Sequence, residues 1–282
     1  APEDDLILVD RWILSRLEQT VKEVDKCVGE FRLNAAAKEL YSFTWNDFCS
    51  WYIELIKPRL YDGTDEEKHT ARQVAGYVLK RIMLLMHPLT PFITEEIYRQ
   101  LTGNETIVKG PWPEYDNSFE DDALEERLGC IQNVVNTIRN IRAEMNVPPG
   151  KRADVMIRVE DANLGRILTE YFDYYQGLAR IEKIIISADV KKPPMSASGI
   201  IPGAEIFIPL EGLVNVDSER QRLSKELGNL KNQLEKLSRK LANSDYLANA
   251  PKDVVDRDRS KKIDFESRVE KLNQNLEQLM NW

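Results

Sequence analysis

A heptad pattern in residues 213–282 constrains this chain more than any other feature. Seam positions recur in alternating steps of three and four along one predicted helix. They are apolar at Leu213, Val216, Leu223, Leu227, Leu230, Leu234, Leu237 and Leu241, and only Arg220 fills one seam slot with a polar residue. The pattern breaks before Pro251 and resumes at Phe265, Val269, Leu272, Leu276 and Leu279. This spacing places one apolar stripe on each of two helices, as in a two-helix seam. Residues 213–282 are therefore predicted to form a long antiparallel coiled-coil hairpin, an arm that contacts a partner.

The charge of the chain is unevenly distributed. Residues 213–282 carry 14 Lys and Arg against 12 Asp and Glu, whereas residues 1–212 carry 25 against 35. An acidic body does not favour nucleic-acid binding over its whole surface, so the arm is the better candidate for contact with a polyanion. No apolar run approaches the ~18 residues of a membrane span, and the first residues lack a signal-like segment. We therefore expect a cytoplasmic protein with no membrane partner.

Helical periodicity dominates residues 1–150. Amphipathic segments predict five helices, at 6–28, 32–56, 65–87, 94–101 and 121–145. The second is expected to end at Pro58. Residues 151–212 are predicted to form a small α+β connector, with strands at 153–159, 181–187 and 205–210, a helix at 161–179 and a loop at 188–203. The predicted fold class is thus mainly α, with a helical bundle, the connector and the arm.

Residues with catalytic or metal-binding chemistry are scarce in this sequence. His69 and His87 have no partner at metal-motif spacing and complete no recognisable triad. Three widely separated cysteines argue against disulfides and zinc, and no glycine-rich phosphate loop is present. We therefore predict a binding module without a catalytic residue, metal site or cofactor. A structural module, whose arm pairs with another protein or with itself, is the alternative.

Two groups of residues are candidates for RNA contact. On the body, aromatic and cationic side chains combine as in the recognition of single-stranded RNA, namely Trp45, Trp51, Tyr52, Lys57, Arg59, Arg139 and Arg142. On the arm, cations gather mainly toward the distal end, where they suit a phosphate backbone, namely Arg222, Arg239, Lys240, Arg257, Arg259, Lys261 and Lys262. The alternative interpretation assigns these residues no RNA contact. In that interpretation the aromatic rings pack in the core and the charged side chains face solvent.

Several strings in the sequence resemble a known family. They are DRWILSRL at 10–17, WNDFCSWYIE at 45–54, KPRLY at 57–61, HPLTPFITEEI at 87–97, IRNIRAEMNVPP at 138–149 and IPLEGLV at 208–214. In this order they resemble the C-terminal half of bacterial valyl-tRNA synthetases, which are class I enzymes. Residues 247–251, with Val254 and Val255, resemble the C-terminal coiled coil of that family, which its isoleucine and methionine relatives lack.

The resemblance implies a helical anticodon-binding domain at 1–150, followed by the connector at 151–212 and a tRNA-binding arm at 213–282. It also implies a partner, tRNA(Val). The arm is expected to contact the outer corner of this tRNA. The full enzyme uses ATP and Mg, but the HIGH and KMSKS signatures are absent here, so we expect this chain to be inactive alone. The first helix of the family's domain has no counterpart before Asp10. An apolar groove, open to self-association, is expected where that helix packs.

Overall fold

The computed structural model describes residues 6–103, 106–214, 216–243, 246 and 251–280. Its contacts divide the chain into two compact units, the first formed by residues 1–132 with 171–178 and the second by residues 133–170 with 179–282. The domain boundaries expected at 150 and 212 stay predictions. Within the described part of the chain, no helix combines the length and apolar character needed to cross a bilayer.

Helices build the first unit, as predicted. They are α1 (Leu8–Gly29), α2 (Leu33–Ser42), a π-helical segment (Phe43–Tyr52), α3 (Ile53–Asp62), α4 (Asp65–Met86), α5 (Pro91–Thr102) and the first part of α6 (Asp122–Glu144). Helix α1 supplies much of the core, because Ile13, Leu14 and Leu17 are fully buried. Thr64 accepts a hydrogen bond from the Glu67 amide and completes a capping box at the start of α4.

The prediction that the second helix ends at Pro58 is wrong. The backbone stays helical from α2 through the π-helical segment to Asp62, with Pro58 inside α3. A proline in a helix interior costs about 3 kcal/mol because it removes a backbone hydrogen bond. Tertiary contacts offset that cost, since Ile56 is fully buried and Arg59 pairs with Asp10 of α1 at 2.6 Å.

Ion pairs fix other helices of the first unit to α1. Arg81 of α4 donates to both carboxylate oxygens of Glu18, and both side chains are buried. Burial raises the pKa of Glu18, although Arg81 and the amide of Asp116 act to lower it. Arg16 pairs with Asp47 of the π-helical segment at 3.1 Å. Because a buried carboxylate needs a partner to be tolerated, these pairs specify how the helices meet.

A four-stranded sheet forms the centre of the second unit. Its strands are β1 (Ala153–Val159), β2 (Ile181–Ser187), β3 (Ser196–Ile201) and β4 (Ala204–Pro209), in the order β2-β1-β4-β3. Strands β1 and β2 are parallel, and the other neighbours are antiparallel. The chain between β1 and β2 forms two helices, α7 (Ala162–Glu170) and α8 (Phe172–Ala179), where one was predicted. All of α8 except its last residue belongs to the first unit.

The prediction of a loop over 188–203 is also wrong in part, because β3 lies within it. This strand contains two serines and a glycine, so it lacks the strong apolar alternation by which a strand is recognised from its own sequence. It forms because it pairs along its whole length with β4, across a turn in which Gly203 has φ 76°. A Cβ at Gly199 of β3 would lie 2.4 Å from Thr137 and 3.1 Å from Ile141, so glycine allows α6 to approach the sheet.

The arm belongs to the second unit and consists of α9 (Val216–Ala242) and α10 (Lys252–Met280). The two helices are antiparallel, since Lys240 of α9 contacts Asp258 of α10, while Leu223 and Leu272 line one pocket at the other end. Seam residues at several levels are buried, namely Leu223, Leu230, Val255 and Phe265. The predicted helical hairpin is therefore confirmed. The predicted seam positions Val216 and Leu279, and residues 247–250, lie outside the described side chains.

Candidate nucleic-acid interface

Tyr52 and Arg59 lie in a buried polar cluster of the first unit. The Tyr52 hydroxyl donates to Asp10 Oδ1 at 2.9 Å, and Arg59 Nη1 donates to Asp10 Oδ2 at 2.6 Å. Tyr52 and Asp10 are fully buried, and the Arg59 side chain is 12% exposed. Burial first, and then the Asp10 charge, raise the pKa of Tyr52. Both side chains are engaged inside the protein, which argues against the predicted RNA contacts of Tyr52 and Arg59.

Trp45 and Tyr41 form an exposed ring stack one helical turn apart. Their centroids are 6.5 Å apart, their planes differ by 10°, and the side chains are 59% and 65% exposed. Lys38 is exposed one turn earlier on the same face. Sequence reasoning had singled out Trp45 but missed Tyr41, although the four-residue spacing of two aromatics was the available signal. Trp51, also predicted to contact RNA, is half-buried.

Lys57 lies beside a groove of the first unit with a volume of about 1080 Å³. Its ammonium pairs with Glu54 on the adjacent helical turn. Five carboxylates line the groove, those of Glu54, Asp62, Glu66, Glu67 and Asp173. A groove so rich in negative charge repels phosphate. Lys57 is therefore a weak candidate for RNA contact, although its side chain is 44% exposed.

Arg139 and Arg142 stand on the part of α6 that belongs to the second unit, but in different surroundings. Arg142 is buried and donates through Nη2 to the carbonyls of Pro148 and Lys151, at 3.3 and 2.7 Å. Burial, and then the charge of Arg180, lower its pKa. The structure contradicts a phosphate contact by Arg142, which instead closes the turn after α6. Arg139 is exposed, and its contact with RNA stays a prediction.

At the distal end of the arm, Lys240 is part of an interhelical contact. Its ammonium donates to Asp258 Oδ2 at 2.8 Å, and the Tyr246 hydroxyl donates to the same oxygen at 2.8 Å. The ammonium also lies 4.5 Å from the centroid of the Tyr246 ring. The hydrogen bond to Asp258 raises the pKa of Lys240. Lys240 thus joins the two helices near their turn, which gives it a structural role that the sequence did not indicate.

The other predicted arm cations are solvent-facing. Several pair with carboxylates of their own helix, namely Arg222 with Glu226, Arg239 with Glu235, Arg259 with Asp256 and Lys262 with Glu266. Lys261 lies over the Phe265 ring at 5.5 Å. Arg257 is exposed and forms no ion pair with any residue in the described ranges. Because exposed ion pairs contribute about 0–1 kcal/mol, these cations can exchange a carboxylate for a phosphate.

Comparisons with known proteins identify both parts of the chain. The family described as the anticodon-binding domain of tRNA ligase matches residues 10–157, and the family described as the valyl tRNA synthetase tRNA binding arm matches residues 215–280. Similar curated proteins include valine–tRNA ligases of Enterococcus faecalis (35% identical over 96% of the chain), Carboxydothermus hydrogenoformans (38% over 97%) and Syntrophotalea carbinolica (37% over 97%). The chain spans 31% of the length of each of these relatives.

Proposed function

This chain belongs to the family of anticodon-binding domains of tRNA ligases, and we propose that it is the tRNA-binding C-terminal part of a valine–tRNA ligase. Its partner is tRNA(Val), which it positions for aminoacylation by the catalytic part of the full enzyme. The observation that carries the proposal is the arm. It is a two-helix hairpin rich in exposed cations, whereas the rest of the chain is acidic. Such a hairpin suits a phosphate backbone. The full protein is proposed to act in the cytoplasm.

The chemistry of the ligase reaction lies outside this chain in the proposal. ATP and Mg, which the family resemblance implies for the full enzyme, are proposed to act outside this chain, which spans 31% of the Enterococcus faecalis relative. The described residues contain no group of three or more His, Cys, Asp or Glu side chains that could hold a metal ion. The expectation that the chain alone is inactive stands as a proposal.

On the helical unit, the exposed stack of Tyr41 and Trp45 supports contact with an unpaired base. Aromatic rings bind bases of any sequence through their faces, and each stacked base contributes about 1–3 kcal/mol. Lys38 on the same helix face adds a cation for a neighbouring phosphate. The proposed anticodon-side surface is therefore Lys38, Tyr41 and Trp45, with Arg139 as a further candidate. It replaces Tyr52, Arg59 and Arg142 of the predicted set.

A footprint of tRNA(Val) bound to this chain tests the proposal. Protection is expected at the outer corner, from the arm, and at the anticodon loop, from the ring stack. Substituting Tyr41→Ala with Trp45→Ala should remove the anticodon protection and weaken binding by about 5- to 150-fold for one stacked base. Phe92→Ala is the control, since Phe92 is an even more exposed ring (91%) in the same unit. A chain that dimerises and shows no affinity for tRNA would instead favour the assembly module.

A further inference from the structure

A second row of residues on α9 repeats the spacing of the seam on the opposite side of the helix. Its members are separated by alternating steps of three and four, at Arg222, Lys225, Asn229, Asn232, Lys236 and Arg239. At 100° per residue they fall within a sector of about 100° that is centred opposite the leucine stripe. All six side chains are exposed. This row, named here the α9 outer face, extends for about 25 Å at 1.5 Å per residue.

The α9 outer face holds four cations and two amides, and no carboxylate lies among its six members. Glu226 and Glu235 stand at the two edges of the sector, where they pair with Arg222 and Arg239. Lys225 and Lys236, the second and fifth members of the row, form no ion pair with a residue that the structure describes. Their positive charge is therefore not neutralised locally and is directed away from the seam.

The outward side of α10 has a different composition. Lys252 and Arg259 are exposed there, but so are Asp256 and Glu270, and Arg259 pairs with Asp256 at 3.6 Å. The side chain of Ile263, which is 67% exposed, also points outward from this helix. The two helices thus present different electrostatic surfaces, although the charges of the arm as a whole nearly balance. A polyanion meets net attraction along α9 and a mixture of attraction and repulsion along α10.

We infer that the α9 outer face is the surface through which the arm binds the sugar-phosphate backbone of tRNA, a proposal that rests on the proposed function. Lys225 and Lys236 bind phosphates, and the amides of Asn229 and Asn232 between them donate hydrogen bonds to phosphate or ribose oxygens. The row contains no apolar residue, so it does not suit a protein partner that binds by burying a hydrophobic face. Two copies of it repel each other, which disfavours self-association through this surface.

The proposal is tested in the complete 282-residue chain with Lys225→Gln and Lys236→Gln combined. The control combines Lys252→Gln and Arg268→Gln, which removes the same charge from two exposed positions of α10 that are not among the predicted RNA contacts. Affinity for tRNA(Val) is measured between 0.1 and 1 M salt for both variants and the wild type. Each lost phosphate contact should reduce the slope of log K against log salt by about 0.7–0.9, so the α9 variant should bind about 25- to 60-fold more weakly at 0.1 M salt. Circular dichroism verifies that both variants remain helical.

A gain of affinity provides an independent test of the same face. Asn232→Lys adds a cation between Lys225 and Lys236, and it should strengthen binding and steepen the salt dependence by about 0.7–0.9. The inference fails if wild type binds tRNA while the α9 variants keep its affinity and slope, or if the α10 control weakens binding as much. Wild type that does not bind tRNA overturns the proposed function as well, so the two failures are distinguishable.

Discussion

Replacing Arg59 by methionine separates a structural role for this arginine from a role in RNA binding. Arg59 was a candidate RNA contact by sequence, but the structure pairs it with the fully buried Asp10 at 2.6 Å. Two unit charges about 4 Å apart attract each other by about 4 kcal/mol at an effective dielectric constant of about 20. Methionine fills most of the volume, but among the described residues it leaves the Asp10 carboxylate with only the Tyr52 hydroxyl and a long contact from the Ile7 amide.

Arg59→Met should therefore lower the free energy of unfolding by about 3–5 kcal/mol, the usual cost of removing one partner of a buried pair. Urea unfolding followed by tryptophan fluorescence reports on this unit, which contains four of the five tryptophans. Lys57→Met is the matched control. Lys57 lies two residues away, but its pair with Glu54 is exposed, so its loss should cost less than about 1 kcal/mol.

A double-mutant cycle isolates the interaction between the two side chains. Asp10→Asn removes the buried charge but keeps an oxygen that can accept from Tyr52, so the double variant with Arg59→Met should be more stable than the two single effects predict. We expect a coupling of about 1–3 kcal/mol. Binding of tRNA by Arg59→Met should keep the salt slope of wild type. The structural argument is refuted if stability is unchanged and the slope falls by about 0.7–0.9, as the loss of a phosphate contact requires.

Three substitutions in the second unit test other features. The hydrogen bond from Lys240 is the main cause that holds the pKa of Asp258 below its usual range. The contact between Lys240 and Asp258 therefore stabilises the arm tip above about pH 4. This stabilisation is lost as the pH falls through the lowered pKa of Asp258. Hydrogen exchange at the tip, corrected for its intrinsic rate, should rise on acidification in wild type but not in Asp258→Asn. Gly199→Ala brings a Cβ within 2.4 Å of Thr137 and should cost about 1–3 kcal/mol in urea unfolding; an unchanged midpoint would show that α6 moves aside. Gly228→Ala, with no heavy atom within 4 Å of the added Cβ, should stabilise α9 by about 0.5–1 kcal/mol, and a lower melting temperature would contradict this.

Local periodicity was sufficient wherever one face of a helix decides its structure. The heptads of the arm predicted both of its helices, and the amphipathic segments before residue 150 predicted most helices of the bundle to within a few residues. Strand β3 was missed because its residues carry little intrinsic strand signal, and only the pairing with β4 makes them extended. The continuation of the helix past Pro58 was missed for the same kind of reason. The tertiary contacts of Ile56 and Arg59 outweigh the low helix propensity of proline.

The roles of individual cations and rings were decided by tertiary structure alone. The sequence placed Tyr52 and Arg59 near Trp45 on one helical stretch, but it could not show that Asp10, 42 and 49 residues earlier, would bury and bind the first two. A charged group is tolerated inside a protein only with a partner, and that partner comes from another helix. The charge and the apolar stripe of α9, by contrast, follow from spacing along a single helix. The sequence therefore determined which face of α9 is cationic, while only the fold decided which arginines are buried away from RNA.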